Sequence, residues 1–372
     1  MNSEIITQAL HEVEESDKAL AAAFERRLDA IKVIAEYRRE HGIPVPAEPD
    51  GGERAQELSA VITDAEKRPY YMSFFQGALS ASEKYHRRIM QGVRVAYTGV
   101  KGAFANIAAS RIFPDGEMVS YPDFAASYTA VERGECDCAV LPIENSYAGE
   151  VGQVIELMFS GTLYIGGVYS LRVKHNLLGL RGSTPSGVKK VVSHPQALHQ
   201  CAPYIQAHGY ECIQETNTAV AAQRVAEGGD PTVAAIASAE TAKLYGLEVL
   251  DHDINESGDN TTRFAVFSRT PNIDEDHRDR SRFLLMFILQ NVPGALASAI
   301  NVISSYGFNM KVIRSRPIKE PAWEYYFYVE AEGDEESENG RRMISELRQH
   351  CRVLKVVGHY SDDIRLGASS II

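Results

Sequence analysis

Apolar side chains recur at Ile6, Leu10, Val13, Leu20, Phe24, Ile31 and Ile34. Steps of three and four predict one long helix with a single apolar seam. The same rhythm places Asp17, Arg27 and Arg38 on that seam. Two arginines on a face that should be dry need anionic partners, because an unpaired buried cation is costly. Either Asp17 pairs in the core with Arg27 and Arg38 at its rim, or the cations mark an anion site between helices. His41-Gly42-Ile43-Pro44 ends the helix, and PVPAEPDGG at 44–52 reads as a loop. Further helical stretches follow at about 53–67 and 69–90, with Pro69 suited to a helix start. The seam is too long for one chain to cover, which predicts pairing of this region across a two-fold axis.

From Val93 the pattern changes. VRVAYTG, CDCAVLPIENS, TLYIGGVYSLRVKHNLLGL, KKVVSHPQALHQCAPYIQAHG and TVAAIASAETAKLYGLEVL alternate strand with helix up to 270. That alternation predicts an α/β region of mostly parallel strands. The charged stretch PNIDEDHRDRS at 271–281 reads as a linker. The remainder, from SRFLLMFILQ to RVLKVVGHY, follows the order β-α-β-β-α-β of the α+β ferredoxin-like plan. Such a unit has helices on one sheet face, so the other face and two edges are expected to be free for dimer pairing. The expected organisation is multidomain: all-α helical over 1–91, α/β over 92–270 and ferredoxin-like over 281–372.

Composition narrows the partners. A net charge of −12 over 372 residues leaves no basic excess to displace counterions, so nucleic acid and anionic membranes are not expected partners. The longest apolar runs, such as FLLMFIL, fall far short of the ~20 residues of a bilayer span. The acidic amino-terminal stretch lacks a signal-peptide pattern. Five cysteines without a C-x-x-C are expected to be reduced thiols, as in a cytoplasm. No H-E-x-x-H or G-x-S-x-G spacing occurs, so neither a metal nor a serine elbow is expected.

Candidate chemistry gathers where strands end, the place where open α/β sheets bind ligands. GVKGAF at 99–104, with Gly102, turns a strand into a helix whose start suits a carboxylate, or is merely a tight turn. Glu144 and Asn145 follow one buried strand. Ser193 follows another and either caps the next helix or faces a ligand, with Gln200 inside that helix. His175 reads as a packed or hydrogen-bonded histidine. Glu215 precedes a helix, and Thr262-Arg263 is a polar pair at a strand start.

Taken in order, PIENSYAGEV, LRVKHNLLG, VVSHPQALHQC, AAIASAETAKLYGLEVL and NTTRF resemble the prephenate dehydratase family over residues 93–270. The resemblance implies a two-lobed, periplasmic-binding-protein-like domain with its site in the cleft. It also implies conversion of prephenate to phenylpyruvate without cofactor or metal. Carried over residue by residue, it makes Thr262, Glu144, Asn145, Ser193, Gln200 and Glu215 the catalytic set. Arg263 either offsets substrate charge or ties the two lobes together, and Gly102 is a substrate-binding candidate. GALA at 294–297 and SRP at 315–317 resemble an ACT regulatory domain. That likeness implies L-phenylalanine as effector, held near Gly294, Ala295, Leu296, Ser315 and Arg316. Residues 1–91 are similar to the chorismate mutase domain of bifunctional mutase–dehydratases. Arg27 and Ser82 match that domain, but Leu10 stands where an arginine is expected, Arg38 replaces a lysine and His86 a glutamine. Arg54 is the nearest basic residue after the first loop. The resemblance therefore implies a degenerate mutase kept for assembly as a homodimer or homotetramer. Arg314 replaces the Glu of the family's Glu-Ser-Arg-Pro, a charge reversal beside the expected effector site. The rival readings are a fully bifunctional enzyme and an amino-acid-sensing module without catalysis.

Overall fold

The structure, a computed structural model, describes residues 3–41, 56–256, 258–271, 281–318, 325–361 and 364–367. It divides into two compact units, Met1–Val93 and Arg94–Ile372.

In the first unit α1 (Ser3–Glu40) packs against α2 (Arg68–Gln91). Ala35 on α1 and Ser82 on α2 are buried. The 24 residues of α2 cannot cover the 38 of α1, and Ile6, Leu10, Val13 and Leu20 stay exposed. The helix expected over about 53–67 is a single turn of helix at 56–59 followed by turns at 60–61 and 65–67, with 53–55 outside the described residues. Asp64 Oδ1 accepts from the Glu66 N–H at 3.0 Å, a local bond that competes with helix.

The second unit holds three sheets. The first lobe is built on β1 (Arg94–Thr98), β2 (Glu117–Tyr121), β3 (Cys138–Asn145), β4 (Gly149–Glu150), β5 (Tyr164–Arg172) and a later strand, β11 (Thr261–Ser268). The helices α3 (Phe104–Ile112), α4 (Phe124–Glu132) and α5 (Gly152–Ser160) pack on it. The second lobe is the sheet β10-β6-β9-β7-β8, made of β6 (Asn176–Gly179), β7 (Lys190–Ser193), β8 (Glu211–Gln214), β9 (Val233–Ala237) and β10 (Glu248–Asp251). Its helices are α6 (Pro195–Gln200), α7 (Ala202–His208), α8 (Thr218–Gly228) and α9 (Ala239–Tyr245).

The sheets are mixed rather than mostly parallel. β1 runs parallel to β2 and β3, but β11 is antiparallel to both β3 and β5, and β6 is antiparallel to β9 and β10. The cause is the double crossing. β5 leads the chain out to the second lobe and β11 brings it back beside β5, so the two must run in opposite directions.

The ferredoxin-like order appears as expected. β12 (Ser281–Leu289), α10 (Ala295–Ser305), β13 (Asn309–Pro317), β14 (Tyr325–Glu332), α11 (Glu338–His350) and β15 (Cys351–Ser361) form the antiparallel sheet β13-β14-β12-β15. One face buries Phe283, Leu285, Phe287 and Val329 with Ala299, Ile303, Met343 and Leu347 from its two helices.

The other face is not free for pairing with a second copy. Leu284, Met286, Tyr326, Tyr328 and Val357 share one apolar core with Val154, Ile155 and Met158 of the first lobe. The aromatics of β14 divide accordingly, with Tyr326 and Tyr328 inward to the lobe and Phe327 to the helices. Trp323 lies outside the described residues. At Gly358 (φ +148°) a Cβ would meet the Ile165 carbonyl at 2.3 Å, so glycine is what lets β15 lie against β5. Lys355 donates to the carbonyls of Met158 and Gly161, capping the end of α5 from the neighbouring sheet. The described chain then adds a strand that was not expected. β16 (Ile364–Leu366) returns to the first lobe and pairs parallel with β5.

Candidate active site

β3 and β11 pair so that Thr262 faces Asn145 and Arg263 faces Glu144. Successive strand residues point to opposite faces, so these adjacent positions part company. Asn145 and Thr262 look one way, Glu144 and Arg263 the other.

On the first face a chain of neutral groups crosses between the lobes. The backbone N–H groups of Tyr147 and Ala148 donate to Asn145 Oδ1 at 3.1 and 2.9 Å. That fixes the amide, because the oxygen must face the turn and the nitrogen must face inward. Asn145 Nδ2 donates to Thr262 Oγ1 at 2.9 Å and to Asn260 Oδ1 at 2.8 Å. With its oxygen so used, Asn260 turns its Nδ2 to Gln200 Oε1 at 3.0 Å. Gln200 Oε1 also meets His175 Nε2 at 2.9 Å, which makes that nitrogen the protonated one. Burial pushes the His175 pKa down against the opposing pull of Gln200, so the ring is neutral. Phe104 at the start of α3 meets the ring edge-on. Polarity therefore runs outward from two backbone donors. At one end the Thr262 hydroxyl accepts and keeps its own proton to give. At the other, Gln200 Nε2 and His175 Nδ1 are buried without a hydrogen-bond partner among the described residues.

Of the residues expected to be catalytic, Asn145, Gln200 and Thr262 are thus brought together. Asn260 was overlooked, and His175 enters through the bond to Gln200. Ser193 is fully buried and its Oγ donates to the Ile236 carbonyl at 2.6 Å, which ties β7 to β9. It does not cap the helix, since His194 does that. Glu215 lies beside it through a backbone bond, and its carboxylate accepts from the Thr216 N–H and from Arg224. These bonds hold its pKa below the usual carboxylate range, the Thr216 N–H contributing most. Gly102 (φ +87°) is a turn between lobes rather than a free anion cradle. Its N–H donates to Asn106 Oδ1 and its carbonyl accepts from Thr241 Oγ1, at 3.0 and 2.9 Å.

The opposite face is ionic. Arg263 donates to Glu144 Oε2 at 3.1 Å and, through both terminal nitrogens, to Glu330 of β14 at 3.1 and 3.0 Å. Tyr328 and Tyr360 also donate to Glu330. Burial alone would raise the Glu330 pKa, but Arg263 and the two phenols outweigh it and hold the carboxyl below its ordinary value. Glu144 and Arg263 therefore join the first lobe to the ACT-like sheet and take no part in the Asn145 network. Arg314 and Arg316 of β13 complete this face, donating to Glu144 and Glu150. Arg316 is therefore engaged away from the proposed effector turn. Gly294 (φ +85°) opens α10, with Leu296 and Ser315 exposed.

A family model described as prephenate dehydratase matches residues 95–272. A curated relative, "Arogenate dehydratase/prephenate dehydratase 2, chloroplastic" of Arabidopsis thaliana, is 34% identical over 84% of this chain and 83% of its own length. The chain belongs to the prephenate dehydratase family. It is a lyase of that family, with the dehydratase domain centred on the two lobes above. The "Bifunctional chorismate mutase/prephenate dehydratase" of Aquifex aeolicus is 29% identical over 94% of this chain and 96% of its own. A solved prephenate dehydratase from Arthrobacter aurescens, in complex with L-Phe, is 25% identical with a TM-score of 0.67. It covers 72% of this chain, and 90% of that chain is matched. Among the described residues no cluster of side chains is suited to a metal ion, and no helix is long and apolar enough to cross a membrane.

In the helical unit the mutase-like residues do meet. Arg27 Nε donates to Ser82 Oγ at 2.9 Å, and its guanidinium lies over Phe75. Arg38 reaches His86 Nε2 at 3.4 Å, and burial followed by the Arg38 charge lowers the His86 pKa. Leu10 is 66% exposed, and Arg54 lies outside the described residues. Asp17 is exposed too, so it does not pair inside a core.

Proposed function

We propose that this dehydratase acts on prephenate, releasing water and CO2 to leave phenylpyruvate, in a cytoplasmic route to L-phenylalanine. The ring C–O bond breaks and the hydroxyl leaves as water after gaining a proton. The C–C bond to the ring carboxylate breaks as well, and its electron pair completes the aromatic ring. The observation that carries this reading is the direction of the Asn145 network. Thr262 Oγ1 accepts from Asn145 and so has its proton directed outward, toward a leaving hydroxyl. A Thr hydroxyl is a weak acid, so it orients and relays rather than supplying a strongly acidic proton. Gln200 offers two N–H donors for a substrate carboxylate. Neutral donors suit a dianion whose negative charge falls during reaction, because they hold it without trapping it as a fixed cation would.

A second substrate deserves the same assay. The Arabidopsis relative is named for arogenate as well as prephenate. Arogenate carries an amino group where prephenate carries a keto oxygen; the end at Gln200 and His175 holds a donor, Gln200 Nε2, beside an acceptor, His175 Nδ1, so the assay decides between the two. The helical unit is proposed to be a weak or inactive mutase, because Leu10 offers no cation. Its exposed seam supports assembly as a homodimer or homotetramer. L-phenylalanine is the proposed effector at the Gly294, Ala295 and Leu296 turn with Ser315, a reading supported by the L-Phe complex of the Arthrobacter protein. The test is purified full chain with prephenate, arogenate and chorismate in turn, following loss of each and formation of phenylpyruvate and phenylalanine. Prephenate is expected to be turned over and chorismate to be left near its uncatalysed rate. Absence of phenylpyruvate from prephenate overturns the dehydratase reading, and chorismate turnover at ~1–10³ per second overturns the mutase reading.

A further inference from the structure

Resting on that dehydratase reading, we propose that Arg314 of the ACT-like sheet is a positioning residue for the Asn145–Thr262 pair, acting through the hairpin over residues 144–150. Antiparallel pairing of β3 with β4 sets Glu144 directly opposite Glu150 and Asn145 opposite Gly149. Two carboxylates facing each other across a strand pair repel, and such pairs destabilise a sheet. Arg314 enters between them from β13. Its Nη1 donates to Glu150 Oε1 and its Nη2 to Glu144 Oε1, each at 2.6 Å. The fork of one guanidinium thus turns a repulsive pair into a clamp.

The clamp lies within an alternating series: Glu330, Arg263, Glu144, Arg314, Glu150 and Arg316. Three cations balance three anions, and each inner member touches two opposite charges. Arg314 is the member that spans the two hairpin strands. Burial opposes the charged form of both Glu150 and Arg314, yet the bonds from Arg316 and then Arg314 hold Glu150 below its ordinary value, and those to Glu144 and then Glu150 raise Arg314, so both stay charged.

What the hairpin carries makes this consequential. Its turn supplies the Tyr147 and Ala148 N–H groups that hold Asn145 Oδ1. Those two bonds set the polarity of the neutral network and so the free proton of Thr262. If Glu144 and Glu150 push apart, the turn shifts, the Asn145 amide loses its fixed direction, and Thr262 is no longer obliged to accept. The expected cost falls on the chemical step, which uses the hydroxyl, more than on substrate binding. The charge that replaces the family's glutamate at 314 is thereby tied to the catalytic hairpin rather than to an effector.

The experiment measures prephenate kinetics and thermal unfolding for the full chain, Arg314→Met, and Arg314→Met combined with Glu150→Gln. Arg314→Met is expected to lower kcat at least fivefold with KM within threefold. Adding Glu150→Gln removes the repulsion and is expected to regain at least threefold in kcat and to raise the melting temperature above that of the single variant. A plain anchoring role gives the opposite sign, because Glu150→Gln also deprives Arg316 of its partner. A smaller kcat loss, a KM change larger than threefold, or a double variant that gains less overturns the proposal. If Arg314→Met shows no cooperative melt, Arg314→Gln with and without Glu150→Gln carries the same comparison. Failure of the unaltered chain to process prephenate refutes the dehydratase reading instead, and the order of melting temperatures then decides the clamp alone.

Discussion

The two faces of the β3–β11 strand pair differ in kind although their residues are neighbours in sequence. One face holds Asn145 and Thr262 in a neutral network whose polarity is set by backbone N–H groups. The other holds Glu144 and Arg263 in full charges shared with a second sheet. The neutral face has little intrinsic strength, yet every donor has a direction. The ionic face is strong and joins two layers, but it has no proton to spare for chemistry. The comparison teaches that a motif can carry two jobs at once, sorted by strand alternation and not by proximity along the chain.

The largest way to break that contrast is on the ionic face. Glu330→Leu removes one of the two carboxylate partners of a buried guanidinium, the one it holds with both terminal nitrogens, and the acceptor of two phenols. Breaking a buried pair costs roughly 3–5 kcal/mol, so denaturant unfolding is expected to show a loss of that order. The kcat of the folded fraction should stay within threefold of normal. A larger kcat loss without a stability loss would erase the distinction between the faces. The Glu330 carboxyl is held below its ordinary value, with Arg263 and the phenols outweighing burial. Its share of stability is therefore present above the ordinary carboxylate range of about 4.3 and is lost as pH falls through the lower folded value. Glu330→Leu should flatten that acid limb.

Smaller in free energy but larger in rate are changes to the neutral face. Asn145→Leu removes the donor to Thr262 and to Asn260 together. Loss of a positioned donor costs about 10²-fold in kcat, measurable in a prephenate assay. Thr262→Val keeps the shape and loses the hydroxyl, with at least tenfold expected from the ~1.4 kcal/mol that a tenfold factor represents. Both proteins should melt within a few degrees of the parent. Normal kcat/KM in Thr262→Val would remove the hydroxyl from the chemistry.

The smallest expected effect separates a distant pair from both faces. His359 Nδ1 lies 3.1 Å from Glu335 Oε1, and that bond, outweighing burial, raises the histidine pKa. Its stabilisation is fully present below about pH 6.5 and fades as pH rises through the folded value. A decline of at most about 1 kcal/mol is expected over that range, absent in His359→Gln. Thermal unfolding across pH 6 to 9 would show it, and an unchanged slope in the variant would dismiss the pair.

Much of this was legible in the residues and some was not, for physical reasons. The seam from Ile6 to Ile34 reads as helix because its period is local, and the strand order after Ser281 reads as ferredoxin-like for the same cause. Asn145, Gln200 and Thr262 were identifiable by resemblance. Asn260 sits two residues before Thr262 in a polar turn-like stretch, and only the pairing of β11 with β3 gives it a purpose. Its bonding to Gln200 joins positions 60 apart in the chain. Glu144 and Arg263 read as site residues because their partners on β13 and β14 lie far along the chain, up to 170 positions away. Mixed strand directions were missed because the periodicity of a strand does not encode which neighbour it will meet. A clue to Asn260 was available in its place beside Thr262, at the end of a strand's approach, but nothing local distinguishes it from a turn asparagine.

The strand β16 changes how the molecule can be divided. The chain leaves the first lobe after β11, builds the ACT-like sheet, and comes back to lay β16 along β5. The ACT-like sheet is thus stitched to the lobe at two points, as a handle is fixed at both ends, and it cannot trail as a bead on one string. A cut at residue 271 removes more than the ACT-like sheet itself. It strips β5 of its outer neighbour and uncovers the apolar core shared with Leu284, Met286 and Tyr328. A bare strand edge beside exposed apolar surface invites pairing with other chains, so such a fragment should precipitate where the whole chain stays dispersed.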